Sequence, residues 1–249
     1  MRELNDFITS ERNRFVNRHN NIFSFTFSEI SRYFDYLHII HLRYKVVSKE
    51  YAENSKALQE SFKKDGSGTV SAEQNKMLQE SREIGLRLHL EIEAFYLFAK
   101  ILLDKISLAI QYYFGSARSL SLVSHDKFTR NVKDYTETKG LKINPELIEH
   151  IKKLKEDISD FRDYQIQHIP DYRQGRIIRG TGFDGEGNAR ISLIALYPTE
   201  KDKQYDSKLL PEMLSDIELY IIQMLEFITK NKDKTALPLE TRSKKTNKS

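Results

Sequence analysis

Three side chains in the segment 162–168 have the types and the spacing for acid–base chemistry. Arg162 and Asp163 are adjacent, and His168 follows the arginine by six residues. A histidine can take up a proton near neutral pH, and an arginine can stabilise developing negative charge without a metal ion. Arg162, Asp163 and His168 are therefore the candidate catalytic residues, with His168 as the base and Asp163 orienting one of the other two.

The arginine–histidine spacing recurs along the chain, so spacing alone does not select one pair. Six pairs have four to six residues between the two side chains: Arg12/His19, Arg14/His19, Arg32/His38, Arg82/His89, Arg118/His125 and Arg162/His168. In a regular helix, residues six apart point about 120° away from each other. Arg162 and His168 therefore converge only where the helix loosens, which we expect close to Pro170.

The segment Phe161–His168 resembles the R-x(4–6)-H signature of the HEPN superfamily, including the polar residue directly after the arginine. Members of that superfamily are small helical-bundle proteins, and many are metal-independent ribonucleases of toxin–antitoxin and antiphage systems. The resemblance implies that Arg162 holds the scissile phosphate of RNA and that His168 is the base. It also implies that two copies of the motif meet across a dimer.

A broader resemblance covers about residues 90–200. The stretches Glu93–Asp104, Ser124–Phe128 and Phe161–His168 are similar to a group of uncharacterised bacterial helical proteins. This similarity implies a bacterial, HEPN-like bundle. The chain departs from small HEPN domains in its long helices and in its inserted hairpin.

The elements that must position these residues are mostly helices, because apolar side chains recur at steps of three and four. We expect helices over about 2–18, 27–64, 72–114, 124–136, 145–170 and 207–230, with a break at 21–26. Ser71 and Gln74 form a capping-box pattern before the second of the two longest helices. Because only a short polar turn separates those two helices, they should pack as an antiparallel hairpin.

At about residues 176–197 the helical pattern gives way to two strand-like runs around a glycine-rich loop. This pattern predicts a β-hairpin, which ends at Pro198. Four side chains at its beginning are candidate RNA-binding residues: Tyr172, Arg173, Arg176 and Arg179. Arginine with an aromatic residue can contact phosphate and stack on a base. An ordinary charged strand edge is the alternative interpretation.

Other motifs in the chain lack parts that their chemistry requires. Lys63–Gln74 resembles a calcium loop but has a lysine and a glutamine where acidic ligands are needed. Gly180–Gly185 matches GxGxxG, but a strand rather than a helix follows it. Asp35, His38 and His41 lack the further ligands of a di-metal bundle. We therefore predict no metal and no cofactor.

The net charge of +4 comes from 40 basic and 36 acidic residues, and it is unevenly placed. Residues 232–249 hold six basic and two acidic residues, so the body is neutral. We expect a single helical domain over 1–231 and a basic, disordered tail over 232–249. The absence of cysteine excludes a disulfide scaffold, a thiol nucleophile and cysteine-ligated zinc.

No apolar run reaches the ~18 residues of a membrane span, and no secretory signal is recognisable at the start. We therefore expect a cytoplasmic protein without membrane contact. The aromatic stripes of the long helices exceed what one slim bundle can bury, which predicts a homodimer.

The predicted fold is mainly α: an elongated helical bundle on a long antiparallel helical hairpin, with a small inserted β-hairpin. Two functional interpretations stay open. The first is a HEPN-like metal-independent endoribonuclease or RNA-binding protein of a toxin–antitoxin or defence system. The alternative is a non-enzymatic helical dimer that acts as a scaffold or binds a protein partner.

Overall fold

A computed structural model describes residues 2–65, 69–162, 177–183, 187–195 and 205–240. As predicted, their fold is mainly α with a small inserted β-hairpin. The described α-helices are α1 Arg2–Arg12, α2 Asn17–Asp65, α3 Ala72–Phe114, α4 His125–Lys139, α5 Pro145–Leu154 and α6 Leu210–Lys230. None of these helices has both the length and the apolar composition needed to cross a membrane.

The first break between helices lies earlier than the predicted break at 21–26. α1 ends at Arg12 and α2 already begins at Asn17. Phe23 and Phe27, one turn apart in α2, are fully buried, and their ring centroids lie 6.0 and 5.4 Å from that of Phe7. Burial of these rings outweighs the weak helix propensity of the neighbouring asparagine, serine and threonine residues.

The long helices α2 and α3 pack antiparallel, as predicted. Ion pairs join Arg43 to Glu91 and Glu50 to Arg87, so later residues of α2 contact earlier residues of α3. The aromatic pair Tyr36–Phe98 continues the same order, with ring centroids 5.6 Å apart.

The predicted capping box closes the start of α3. The backbone N of Ser71 donates to Oε1 of Gln74 at 2.9 Å, and the backbone N of Gln74 donates to Oγ of Ser71 at 3.1 Å. These reciprocal bonds satisfy two amide groups that have no partner within the helix.

The sheet consists of β1 Ile177–Phe183, β2 Ala189–Ala195 and β3 Tyr205–Asp206, and all its pairs are antiparallel. β3 was not predicted. Gly180 and Gly182 lie within β1, in agreement with a hairpin and not with a dinucleotide-binding turn. α2 holds the hairpin through two side chains: Tyr44 Oη donates to the carbonyl of Ala189 at 2.6 Å, and Ser48 Oγ donates to that of Gly187 at 2.8 Å.

The chain divides into two compact units. Unit 1 comprises the described residues within Met1–Phe34, Lys100–Lys155 and Ile217–Ser249, and unit 2 those within Asp35–Ala99 and Glu156–Asp216. Each unit has its own buried aromatic residues, such as Tyr113 in unit 1 and Phe95 in unit 2. The single domain over 1–231 stays a prediction.

The predicted start of the disordered tail 232–249 lies too early in the sequence. Lys232–Lys234 form a short 3₁₀ helix, and Leu237 is buried. The backbone N of Ala236 donates to the carbonyl of Tyr113 at 2.9 Å, and that of Glu240 donates to the carbonyl of Arg14 at 2.8 Å. Apolar contacts and backbone bonds thus order this stretch despite its charge. Residues 241–249 lie outside the described residues.

Candidate functional site

Arg162 directly follows an irregular part of the helix that begins with α5. Lys155–Asp160 form a π-helix, and Arg162 is also in π-helical conformation and half-buried. The helix therefore already departs from α conformation before the arginine, and the loosening expected near Pro170 stays a prediction. Pro170 itself lies outside the described residues. π-Helical turns inside α-helices are frequent at functional sites.

Contacts at two positions of this segment, Asp157 and Phe161, hold its backbone in place. The ring centroid of Phe161 lies 4.5 Å from that of Tyr96 on α3. The hydroxyl of Tyr96 accepts a hydrogen bond from the backbone N of Lys208 at 2.9 Å, and burial raises the pKa of Tyr96. Lys208 Nζ lies 3.7 Å from the carboxylate of Asp157 within the π-helix. Arg162 is therefore attached to a well-packed part of unit 2.

Most of the other predicted site residues lie outside the described residues: Asp163, His168, Tyr172, Arg173 and Arg176. Arg179 lies in β1, where its Cα is paired with that of Leu193 in β2. The structure thus gives the place of Arg162 and the strand position of Arg179. The catalytic roles of Arg162, Asp163 and His168 and the RNA-binding roles of the other four residues stay predictions.

The five other arginine–histidine pairs each have at least one member engaged in the fold. Arg12 donates to Asn20, Arg14 to Glu11 and Arg32 to Glu29, and Nε2 of His89 lies 3.0 Å from the hydroxyl of Thr181. His125, the partner of Arg118, is 0% exposed. At least one member of each of these five pairs thus has a structural role in the described part of the chain, whereas the surroundings of His168 lie outside it.

A buried charged cluster in unit 1 was not predicted from the sequence. Lys100 of α3 is only 4% exposed, and its Nζ lies 3.0 Å from a carboxylate oxygen of both Asp104 and Asp126. Asp104 also accepts a hydrogen bond from the backbone N of His125 at 2.7 Å. The cluster fastens the first turn of α4 to α3. Its one signal in the sequence is that Lys100 interrupts an apolar run.

His125 lies beside this cluster with its ring centroid 5.9 Å from that of Tyr220. Neither ring nitrogen of His125, nor the hydroxyl of Tyr220, has a hydrogen-bond partner in the described part of the chain. Burial and the positive charge of Lys100 lower the pKa of His125 to about 3. His125 is therefore neutral at neutral pH and closed to a substrate.

A metal site is not formed by the residues that the structure describes, since none of their His, Asp and Glu side chains gather in groups of three or more. This finding covers Asp35, His38 and His41. Burial and the nearby charge of Lys45 lower the pKa of His41. Comparison of the chain with protein-family models, curated proteins and solved structures found no match.

Proposed function

We propose that this protein is HEPN-like and acts as a metal-independent endoribonuclease of a toxin–antitoxin or defence system. The observation that carries this proposal is the π-helical backbone at Arg162. An uninterrupted α-helix would turn Arg162 and His168 about 120° apart. A backbone that has already left α conformation at Arg162 supports a proposal in which the two side chains converge. The packing of Phe161 on Tyr96 supports the proposal because it holds the backbone next to Arg162 in a fixed position.

In the proposed reaction, Arg162 binds the non-bridging oxygens of the scissile phosphate. His168 takes the proton of the 2′-hydroxyl, the 2′-oxygen bonds to phosphorus, and the 5′-oxygen leaves with a proton from solvent. Asp163 orients His168 or Arg162. The candidates for holding flanking nucleotides are Tyr172, Arg173, Arg176 and Arg179. The reaction needs neither a metal nor a cofactor.

A second candidate function is a non-enzymatic helical homodimer that acts as a scaffold or binds a protein partner. The observation that favours it is a set of aliphatic side chains of unit 2 that are more than half exposed. Such exposure is typical of interaction surfaces. Both candidate functions include a homodimer.

RNA cleavage by the purified protein in the presence of EDTA tests the nuclease. We expect wild type to cut RNA and to leave a 2′,3′-cyclic phosphate, and we expect His168→Ala to lower the rate by roughly 10²–10⁴-fold because the base is lost. A substrate with 2′-deoxy nucleotides should remain intact, since it lacks the attacking oxygen.

The matched control is His38→Ala, which removes an exposed histidine of α2. It should cut RNA like wild type. Equal rates for wild type and His168→Ala, or no cleavage by either, would remove the nuclease proposal and leave the helical dimer.

A further inference from the structure

Three aliphatic residues of α2 are exposed although they lie on one side of the helix. Ile39, Leu42 and Val46 are 51%, 63% and 68% exposed. At 100° per residue they fall within about 60° of arc. Leu37 and Tyr44, which are fully buried, point to the other side of the helix. α2 thus presents a second apolar stripe that the described residues of unit 2 do not cover.

The neighbouring helix α3 has a matching pair of exposed residues. Leu86 and Leu90 are 62% and 60% exposed and lie one turn apart. The ion pairs Arg43–Glu91 and Glu50–Arg87 place Leu90 beside the end of this stripe near Val46, and Leu86 about one turn beyond it. We call the five residues Ile39, Leu42, Val46, Leu86 and Leu90 the outer face of unit 2.

Four charged residues lie between the two halves of the outer face. Arg43 follows Leu42 on α2, and Arg87 and Glu91 follow Leu86 and Leu90 on α3. Along the seam the charges alternate: Arg43 faces Glu91, and about two turns further Glu50 faces Arg87. Three of the four side chains are between 44% and 58% exposed, so their charge reaches the surface.

We propose that the outer face of unit 2 is the homodimer interface and packs against the same face of a second copy of this chain. This inference rests on the homodimer in the proposed function and names its surface. The interface is isologous, as in most dimers with two-fold symmetry.

The charge pattern of the seam selects a second copy as the partner. If the two-fold axis lies in the interface along the helices, Arg43 of one copy faces Glu91 of the other, and Glu50 faces Arg87. If it lies across the helices, Arg43 faces Glu50 and Glu91 faces Arg87. Glu91 is only 7% exposed, so the contacts between exposed side chains are Glu50 with Arg87 in the first arrangement and Arg43 with Glu50 in the second. Opposite exposed charges meet in both arrangements and no like charges face each other, so the face is complementary to itself.

The apolar area of the outer face reaches the lower limit for a specific interface. Five aliphatic side chains at about 60% exposure offer roughly 300 Å² of apolar area per copy, or about 600 Å² for two copies. Because about 60% of an interface is non-polar, the whole contact would bury about 1,000 Å². Specific interfaces begin at about this size.

The molar mass of the full chain in solution, measured by light scattering after size exclusion, tests the surface. We expect wild type at twice the chain mass of 29.3 kDa. The double variant Leu42→Glu, Val46→Glu should elute at the monomer mass, since its glutamates would be buried without partners. The matched control is Lys56→Glu, which changes the net charge by the same amount at an exposed position of α2 and should stay dimeric.

Chemical cross-linking provides a second readout that does not depend on weakening the dimer. The chain contains no cysteine, so Leu42→Cys introduces a single thiol. A thiol-specific cross-linker that spans about one interhelical distance, ~10 Å, should link Leu42→Cys into a covalent dimer faster than Lys56→Cys. A monomeric wild type would overturn the homodimer and the surface together. A dimeric wild type whose mass the double variant does not change, and that links no faster at 42 than at 56, would overturn the surface alone.

Discussion

His125 is an ionisable residue that the fold keeps without charge. Lys100 from α3 and Asp126 from its own helix face it, as do His150 of α5 and Lys155 directly after α5. Burial opposes protonation most strongly, and Lys100, Lys155 and His150 add to this opposition, whereas Asp126 works against it. Protonation of this ring therefore lowers the stability of the folded protein.

The pH dependence of unfolding should report His125. The pKa of this residue is about 3 in the folded protein and 6.5 as the ordinary value, so the unfolded chain binds more protons between these values. The free energy of unfolding should consequently decrease as pH falls, by about 2 kcal/mol between about pH 6.5 and about pH 5. His125→Phe should lose this part of the pH dependence in urea unfolding.

The control for this measurement is His38→Phe, because His38 is exposed on α2. It should change the slope less than His125→Phe does, since the charge of His38 is only the smallest of three causes that lower the pKa of His41. Asp126 does not interfere, since its lowered pKa affects stability only below the ordinary value of 3.8. Identical slopes for wild type and His125→Phe would contradict the neutral, enclosed ring.

At the scale of single elements, α4 ends in a left-handed residue. Gly140 has a φ of 62°, and its backbone N lies within hydrogen-bond distance of the carbonyl of Glu137 at 3.0 Å. Gly140→Ala should lower the free energy of unfolding by about 1 kcal/mol, because a residue with a side chain is strained in this conformation. A side-chain carbon would meet no atom within 4 Å, so the strain comes from the backbone. Gly140→Asn should cost less, and equal stability of Gly140→Ala and wild type in urea unfolding would contradict the left-handed end.

Elements that are encoded locally could be predicted from the sequence. The capping pair Ser71/Gln74 and the Asn144–Pro145 start of α5 were both confirmed, and the side chain of Asn144 accepts from the backbone N of Glu146 at 3.1 Å. Such signals depend on neighbours within a few residues.

Elements that depend on distant contacts could not be predicted. The break after α1 is stabilised by the backbone N of Val16, which donates to the carbonyl of Pro238 at 3.3 Å. The charged cluster joins Lys100 to Asp126, 26 residues away. The hypothesis about Arg162 rests on a local sequence pattern and stays a prediction, whereas nothing local indicated which acidic groups Lys100 would meet.

At the scale of the whole molecule, the net charge of +4 equals the number of basic residues within 241–249. That stretch has no acidic residue, so the chain up to Glu240 is neutral. Attraction to a polyanion through this stretch would be weak and sensitive to salt. If RNA is the substrate, its recognition depends on the local group around Arg162.

Two truncations should measure the contribution of the ordered residues 236–240. Removal of 236–249 should lower the melting temperature by roughly 5–10 °C more than removal of 241–249 does. The longer deletion removes the buried side chain of Leu237 and the backbone bonds of Ala236 and Glu240. Equal melting temperatures for the two truncations in calorimetry would contradict the ordered structure of 236–240.

The contacts of Tyr113 have a consequence for the order of events during synthesis. Its carbonyl accepts from Thr235 Oγ1, 122 residues later, and its ring packs against Phe15 from the beginning of the chain. Unit 1 therefore cannot complete its core until the ribosome has released residues close to 240, whereas all of unit 2 has been translated by residue 216. On a nascent chain, unit 2 should consequently resist protease first, while Phe7 and Phe15 remain accessible until residues close to 240 have been released.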